Sequence, residues 1–76
     1  MTTIARVLDT TGLSCPVPIL RTKKEISSLA PGEVLKLIAT DPGSVKDVDA
    51  FCRQTGNELL ESQQDGNAFV FLLRKG

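Results

Sequence analysis

A chain of 76 residues, 41% hydrophobic and 24% charged, allows one small folded domain that buries only about 60–65% of the surface its unfolded form exposes. Nine Lys and Arg against nine Asp and Glu leave no net charge, which argues against a protein whose main task is gripping phosphate backbones. Nothing approaches a membrane span, and the N-terminal stretch from Met1 to Arg6 lacks a signal peptide's apolar run, so the expected compartment is the cytoplasm, where thiols stay reduced.

Along the chain, Ile4 to Asp9 mixes β-branched and aliphatic residues and predicts a first strand, closed by the turn residues Thr10-Thr11-Gly12. A helix is expected from Pro16 to about Ala30, with Ile19, Thr22, Ile26 and Leu29 recurring at helical spacing until Pro31-Gly32 stops it. Glu33 to Thr40 reads as a second strand that places Leu35, Leu37 and Ala39 on one face. After the Asp41-Pro42-Gly43-Ser44 turn, Ser44 and Asp47 resemble a capping box, and Val45, Val48, Phe51 and Cys52 form the apolar stripe of a second helix ended by Gly56. Asn57 to Gln64 has the polar end of an edge strand. Asp65-Gly66 signals a hairpin into Ala68–Arg74, which is apolar on both faces and belongs inside the sheet.

The order β-α-β-α-β-β implies an α+β fold: a two-layer α/β sandwich with both helices on one face of a four-stranded mixed sheet, formed by residues 1–76 as one domain. If Phe69 and Phe71 face the helices, Val70 and Leu72 face outward, joined by Val34 and Ile38.

The chemistry available to this chain is narrow. It has no His, Trp or Tyr, and its two cysteines form no C-x-x-C pair, so no metal site and no cofactor is expected, and thiol chemistry stands out. Cys15 lies in Gly12-Leu13-Ser14-Cys15-Pro16-Val17-Pro18. A residue before proline is pushed out of helical geometry, and proline suits the first helical position, so the sequence predicts Cys15 as the helix N-cap. Free N–H groups and the positive end of the helix dipole would then lower the thiol pKa and expose a nucleophile, to which Arg21 adds if its side chain folds back. Cys52, beside Phe51 on the helical stripe, reads as core. With Cys15 at the start of one helix and Cys52 near the end of the other, their axial levels differ by roughly 12 Å, beyond the about 7 Å that a disulfide tolerates.

The stretch Leu8-Asp9-Thr10-Thr11-Gly12-Leu13-Ser14-Cys15-Pro16-Val17-Pro18 resembles the C-P-x-P signature of the TusA (SirA-like) sulfur-carrier family. The likeness continues through Pro31-Gly32-Glu33, Asp41-Pro42, Phe51-Cys52, Asn57-Glu58-Leu59 and Asp65-Gly66. It implies a carrier, rather than a turnover enzyme, that takes up sulfane sulfur as a persulfide on Cys15, with Pro16, Pro18, Gly12 and Leu13 in support. It implies as donor a cysteine desulfurase or a rhodanese-type sulfurtransferase, and as acceptor a DsrE-like or other cysteine-bearing relay protein. The sulfur would end in tRNA 2-thiouridine, molybdenum-cofactor assembly or dissimilatory sulfur oxidation. The member best known for tRNA thiolation resembles Arg-Cys-Pro-Glu-Pro here, whereas Ser14 and Val17 are uncharged; these differences, with Ile38-Ala39-Thr40-Asp41-Pro42-Gly43-Ser44-Val45-Lys46-Asp47, look closer to members from sulfur-oxidising bacteria.

Other readings compete with the carrier. A non-catalytic interaction or regulatory module would bind partners through the open sheet face and use Cys15 only as a cap. Direct nucleic-acid binding rests on fold analogy alone and is disfavoured by the neutral charge. A ubiquitin-like sulfur carrier would need a C-terminal Gly-Gly, where this sequence reads Arg74-Lys75-Gly76.

Overall fold

The computed structural model describes residues 3–76; Met1 and Thr2, part of the N-terminal stretch read above, lie outside the described residues. The element order is β1 (Ile4–Thr10), α1 (Val17–Ser27), β2 (Val34–Ala39), α2 (Ser44–Thr55), β3 (Glu58–Asp65) and β4 (Ala68–Arg74). The strands lie in the order β1-β2-β4-β3. β1 runs parallel to β2, and β4 pairs antiparallel to both β2 and β3, so the twice-apolar β4 is indeed internal. Two-layer α+β architecture follows from the sequence order.

Register decides which side chains meet the helices. Leu35 pairs with Leu73, Leu37 with Phe71 and Ala39 with Phe69 across β2 and β4. These residues share a core with Ile26 and Leu29 from the α1 side and Val48, Phe51 and Cys52 of α2, which puts both helices on one sheet face. The alternate positions pair Val34 with Arg74, Lys36 with Leu72 and Ile38 with Val70 on the opposite face. Val70, Leu72 and Ile38 are half-buried there, and Val34 is buried.

Three local expectations need correction. The first helix starts at Val17 and ends at Ser27, short of Ala30, because Glu33 returns to accept the Ala30 N–H (2.6 Å) while the Glu33 N–H bonds the Ala30 carbonyl (3.0 Å). The Lys75 ammonium completes this end by donating to the Ile26 carbonyl at 2.9 Å. The Ser44/Asp47 capping box does not form: Gly43 is the N-cap of α2, no side chain caps it, and the Asp47 N–H bonds the Gly43 carbonyl (3.1 Å). With Ser44 as the first helical residue, spacings of four, seven and eight turn Ser44, Val48, Phe51 and Cys52 inward and leave Val45 exposed. Among the described residues, no helix is long and apolar enough to cross a membrane.

Candidate functional site

Parallel pairing of β1 with β2 places their C-terminal ends side by side, Thr10 opposite Ala39. The loops leading into α1 and α2 therefore emerge at the same sheet edge, and hydrogen bonds join them. The Thr10 hydroxyl donates to the Ile38 carbonyl (2.6 Å), the Gly12 N–H to the Thr40 hydroxyl (2.9 Å), and the Cys15 N–H to Asp41 Oδ2 (2.7 Å). Asp9 Oδ1 accepts from the N–H (2.9 Å) and hydroxyl (2.5 Å) of Thr11. Its neighbour Gly12 takes φ +82°, a left-handed conformation that favours glycine, as the Leu13 N–H closes on the Thr10 carbonyl (3.1 Å). Gly12 and Leu13 thus shape the approach to Cys15, and Leu13 is half-buried.

Cys15 does not cap the helix. The Cys15–Pro16 peptide is cis, Pro16 is the N-cap with φ −97° and ψ 13°, and no side chain caps the end. The donors expected to meet the thiol are largely missing, because Pro16 and Pro18 carry no N–H and the Val17 N–H is bonded to the Ser14 carbonyl (2.9 Å). Pro18 instead anchors the helix start in the core: it is fully buried, and its carbonyl accepts the buried Thr22 hydroxyl at 2.7 Å.

The Cys15 thiol is exposed and free. It lies at an open groove of about 240 Å³, lined by Pro16 and Ile19 from the α1 end and by Asp47, Ala50, Phe51 and Gln54 of α2. Arg21 does not line this groove; it borders a separate one with Leu8, Leu20, Lys24 and Glu25. The charges near the thiol are negative. A methyl group on Gly43 would stand 3.6 Å from Asp41 Oδ1 and 3.9 Å from Asp47 Oδ2, so both carboxylates converge on this turn. The Asp47 carboxylate, poised to accept the thiol proton, raises the Cys15 pKa; partial desolvation and the charges of Asp47 and Asp41 add to it. This reverses the lowered pKa expected from the helix dipole. The prolines withdraw the positive donors, and the neighbouring loop supplies two anions in their place.

Cys52 occupies the opposite environment, 2% exposed among the core residues. Burial, helped by the charge of Asp49, pushes its thiol up to about 11. Iodoacetamide at pH 8 should therefore alkylate the native chain at Cys15 alone, and at both cysteines once it is unfolded in urea. Two adducts on the native chain would contradict this burial.

Asp41 is the residue that a sequence reading of the turn undervalues. Its carboxylate accepts from Cys15 N–H through Oδ2 and from Gly43 N–H through Oδ1 (3.1 Å), which ties the thiol-bearing loop to the start of α2. Asp41→Ala should cost about 1–2 kcal/mol in urea unfolding, and Asp41→Asn somewhat less, since its single amide oxygen keeps one of the two bonds while its NH2 replaces the other acceptor. Equal losses in the two variants would show that the hydrogen bonds are not what Asp41 contributes.

Residues 6–75 match the model of a family described as sulfurtransferase TusA. The chain is 60% identical over 68 residues to the sulfur carrier protein TusA of Allochromatium vinosum, covering 90% of each protein. It is 54% identical over 70 residues to a putative sulfur carrier protein of Neisseria meningitidis serogroup A, covering 92% of this chain and 95% of the other. Its fold matches the crystal structure of a SirA-like protein from Desulfitobacterium hafniense with a TM-score of 0.83, over 93% of this chain and 97% of that one, at 22% identity.

Proposed function

The chain belongs to the TusA family, and from that premise we propose that its 76 residues serve as one sulfur-carrier domain bearing a persulfide on Cys15. The observation that carries this reading is the pairing of one exposed thiol with one buried thiol, because only Cys15 can reach another protein's sulfur. Loading is an exchange between sulfurs. The Cys15 thiolate attacks the outer sulfur of a donor persulfide, the donor's S–S bond breaks, and the donor leaves as a thiolate that takes a proton from water. The outer sulfur keeps its oxidation state in the transfer, and unloading onto an acceptor cysteine repeats the same step.

No general base is required, since the thiolate present in equilibrium with the thiol is the attacking species. The donors that fit are a cysteine desulfurase or a rhodanese-type sulfurtransferase, and the acceptors are DsrE-like or other cysteine-bearing relay proteins, met in the cytoplasm. The uncharged Ser14 and Val17 beside the Cys-Pro pair favour dissimilatory sulfur oxidation over tRNA thiolation as the destination. The test is intact mass after incubation with a desulfurase and cysteine, or with a rhodanese and thiosulfate. One added sulfur atom, removable by dithiothreitol, is expected. An unchanged mass with both donors would refute the carrier reading.

A further inference from the structure

Two carboxylates beside a working nucleophile are an unusual choice, because they oppose formation of the thiolate that the exchange needs. Neither is paired with a cation among the described residues, where the ion pairs are Arg6–Glu25, Arg53–Asp49 and Arg74–Glu58. Asp41 at least has a structural duty in its two backbone hydrogen bonds. Among the described residues no N–H or hydroxyl donates to the Asp47 side chain, yet it is half-buried at the groove wall.

We propose that Asp47, seconded by Asp41, is a specificity-determining gate: it keeps Cys15 quiet in the free carrier and admits sulfur donors and acceptors that bring a lysine or arginine into the groove. This rests on the carrier reading and names the chemistry of its partners. A cation seated between Cys15 and Asp47 neutralises the carboxylate and pairs with the emerging thiolate. Pro16, Ile19, Ala50 and Phe51 supply the apolar wall against which the aliphatic stem of such a side chain can lie. The facing charges all have one sign. Asp47 of α2 lines the groove, and Asp41, from the turn before it, bonds the Cys15 N–H without lining it; α1 offers the groove only Ile19, after Pro16, and the exposed Lys46 and Arg21 do not line it. Molecules that approach with an anionic sulfur meet repulsion, and their encounter slows accordingly.

Small disulfides of differing charge test this without any sulfur loading, so the gate and the carrier reading can fail separately. In each reaction the Cys15 thiolate attacks one probe sulfur, forming a mixed disulfide and releasing the other half as a thiolate. Rates at low ionic strength are measured with cystamine, a dication, and with 3,3′-dithiodipropionate, a dianion, each divided by the rate of 2-mercaptoethanol with the same probe. The wild type is expected to favour the cation by about tenfold, with the preference falling as salt is added. Asp47→Asn should cut that preference at least about threefold, and should make neutral iodoacetamide react about three- to tenfold faster at pH 7 by moving the pH–rate profile to lower pH. Asp47→Glu, which keeps the carboxylate, should restore both properties towards wild type. An unaltered charge preference and pH profile in Asp47→Asn would overturn the proposal, as would a wild type that reacts equally with both probes.

Discussion

Cys15→Ser should abolish sulfur uptake completely, leaving the intact mass unchanged with every donor while the fold survives. The reason is chemical: a serine hydroxyl cannot form a persulfide, and the second thiol is shut inside the core. The fold should survive because the Cys15 side chain is exposed, while its backbone N–H, which serine keeps, makes the 2.7 Å bond to Asp41. Thermal unfolding of the variant should stay within a few degrees of wild type, since exposed substitutions away from special features seldom exceed about 0.5 kcal/mol. Cys52→Ala should retain uptake at one sulfur per chain. If Cys15→Ser still gained a sulfur, or only Cys52→Ala lost the ability, the assignment of roles to the two cysteines would be reversed. If the Cys15→Ser strain kept full function in the cell, the domain would be an interaction module in which this residue has no chemical duty.

Phe71→Ala should come close to unfolding the protein. Phe71 is fully buried in β4, paired with Leu37 between the edge-side strands and beneath the helices. Removing a buried aromatic ring typically costs about 3–5 kcal/mol in lost transfer energy and unfilled space. A chain of this length has a total stability of only about 4–11 kcal/mol, so the loss is a large share of the whole. Urea unfolding should show a midpoint far below wild type, with an unfolded fraction already visible in buffer for the lower end of that range. Val7→Ala is the control: Val7 is 58% exposed, and its truncation should change stability by less than about 0.5 kcal/mol. Similar effects at the two positions would mean that the core does not lie where register puts it.

The fold was legible because each layer of the sequence agreed with the others. Alternation in β2 and β4 named the inward residues Leu35, Leu37 and Phe71, and the hairpin at Asp65-Gly66 fixed β3 against β4. The thiol's exposure followed from the turn and prolines around it, and the burial of Cys52 followed from its helical stripe. What local reading missed was electrostatic. Treating Cys15 as a cap counted helix donors that Pro16, Pro18 and the Val17–Ser14 hydrogen bond had already removed.

The carboxylates were missed for a related reason. By sequence, Asp41 and Asp47 read as parts of a turn and a cap on a distant stretch of chain, 26 and 32 residues beyond the thiol. A signal was nevertheless present in the topology. In a parallel β-α-β unit, both strands release their chains at the same end of the sheet, so acids following β2 must come near a thiol following β1. Local propensity carries no such information, and hydrophobicity alone puts Val45 in the stripe because it is the apolar residue within a turn of Val48. Val45 lies three residues before Val48 and Ser44 four before it, and the inward face takes the polar Ser44.

The most direct measurement is to locate the sulfur after loading. The chain loaded with isotopically labelled sulfane sulfur, capped with iodoacetamide and cut by trypsin, yields Val7–Arg21 around Cys15 and Asp47–Arg53 around Cys52. The label should appear only on Val7–Arg21, at one atom per chain, and should leave that peptide when an acceptor thiol protein is added before capping. Label on Asp47–Arg53, or label on Val7–Arg21 that no acceptor thiol can remove, would contradict a carrier built on Cys15.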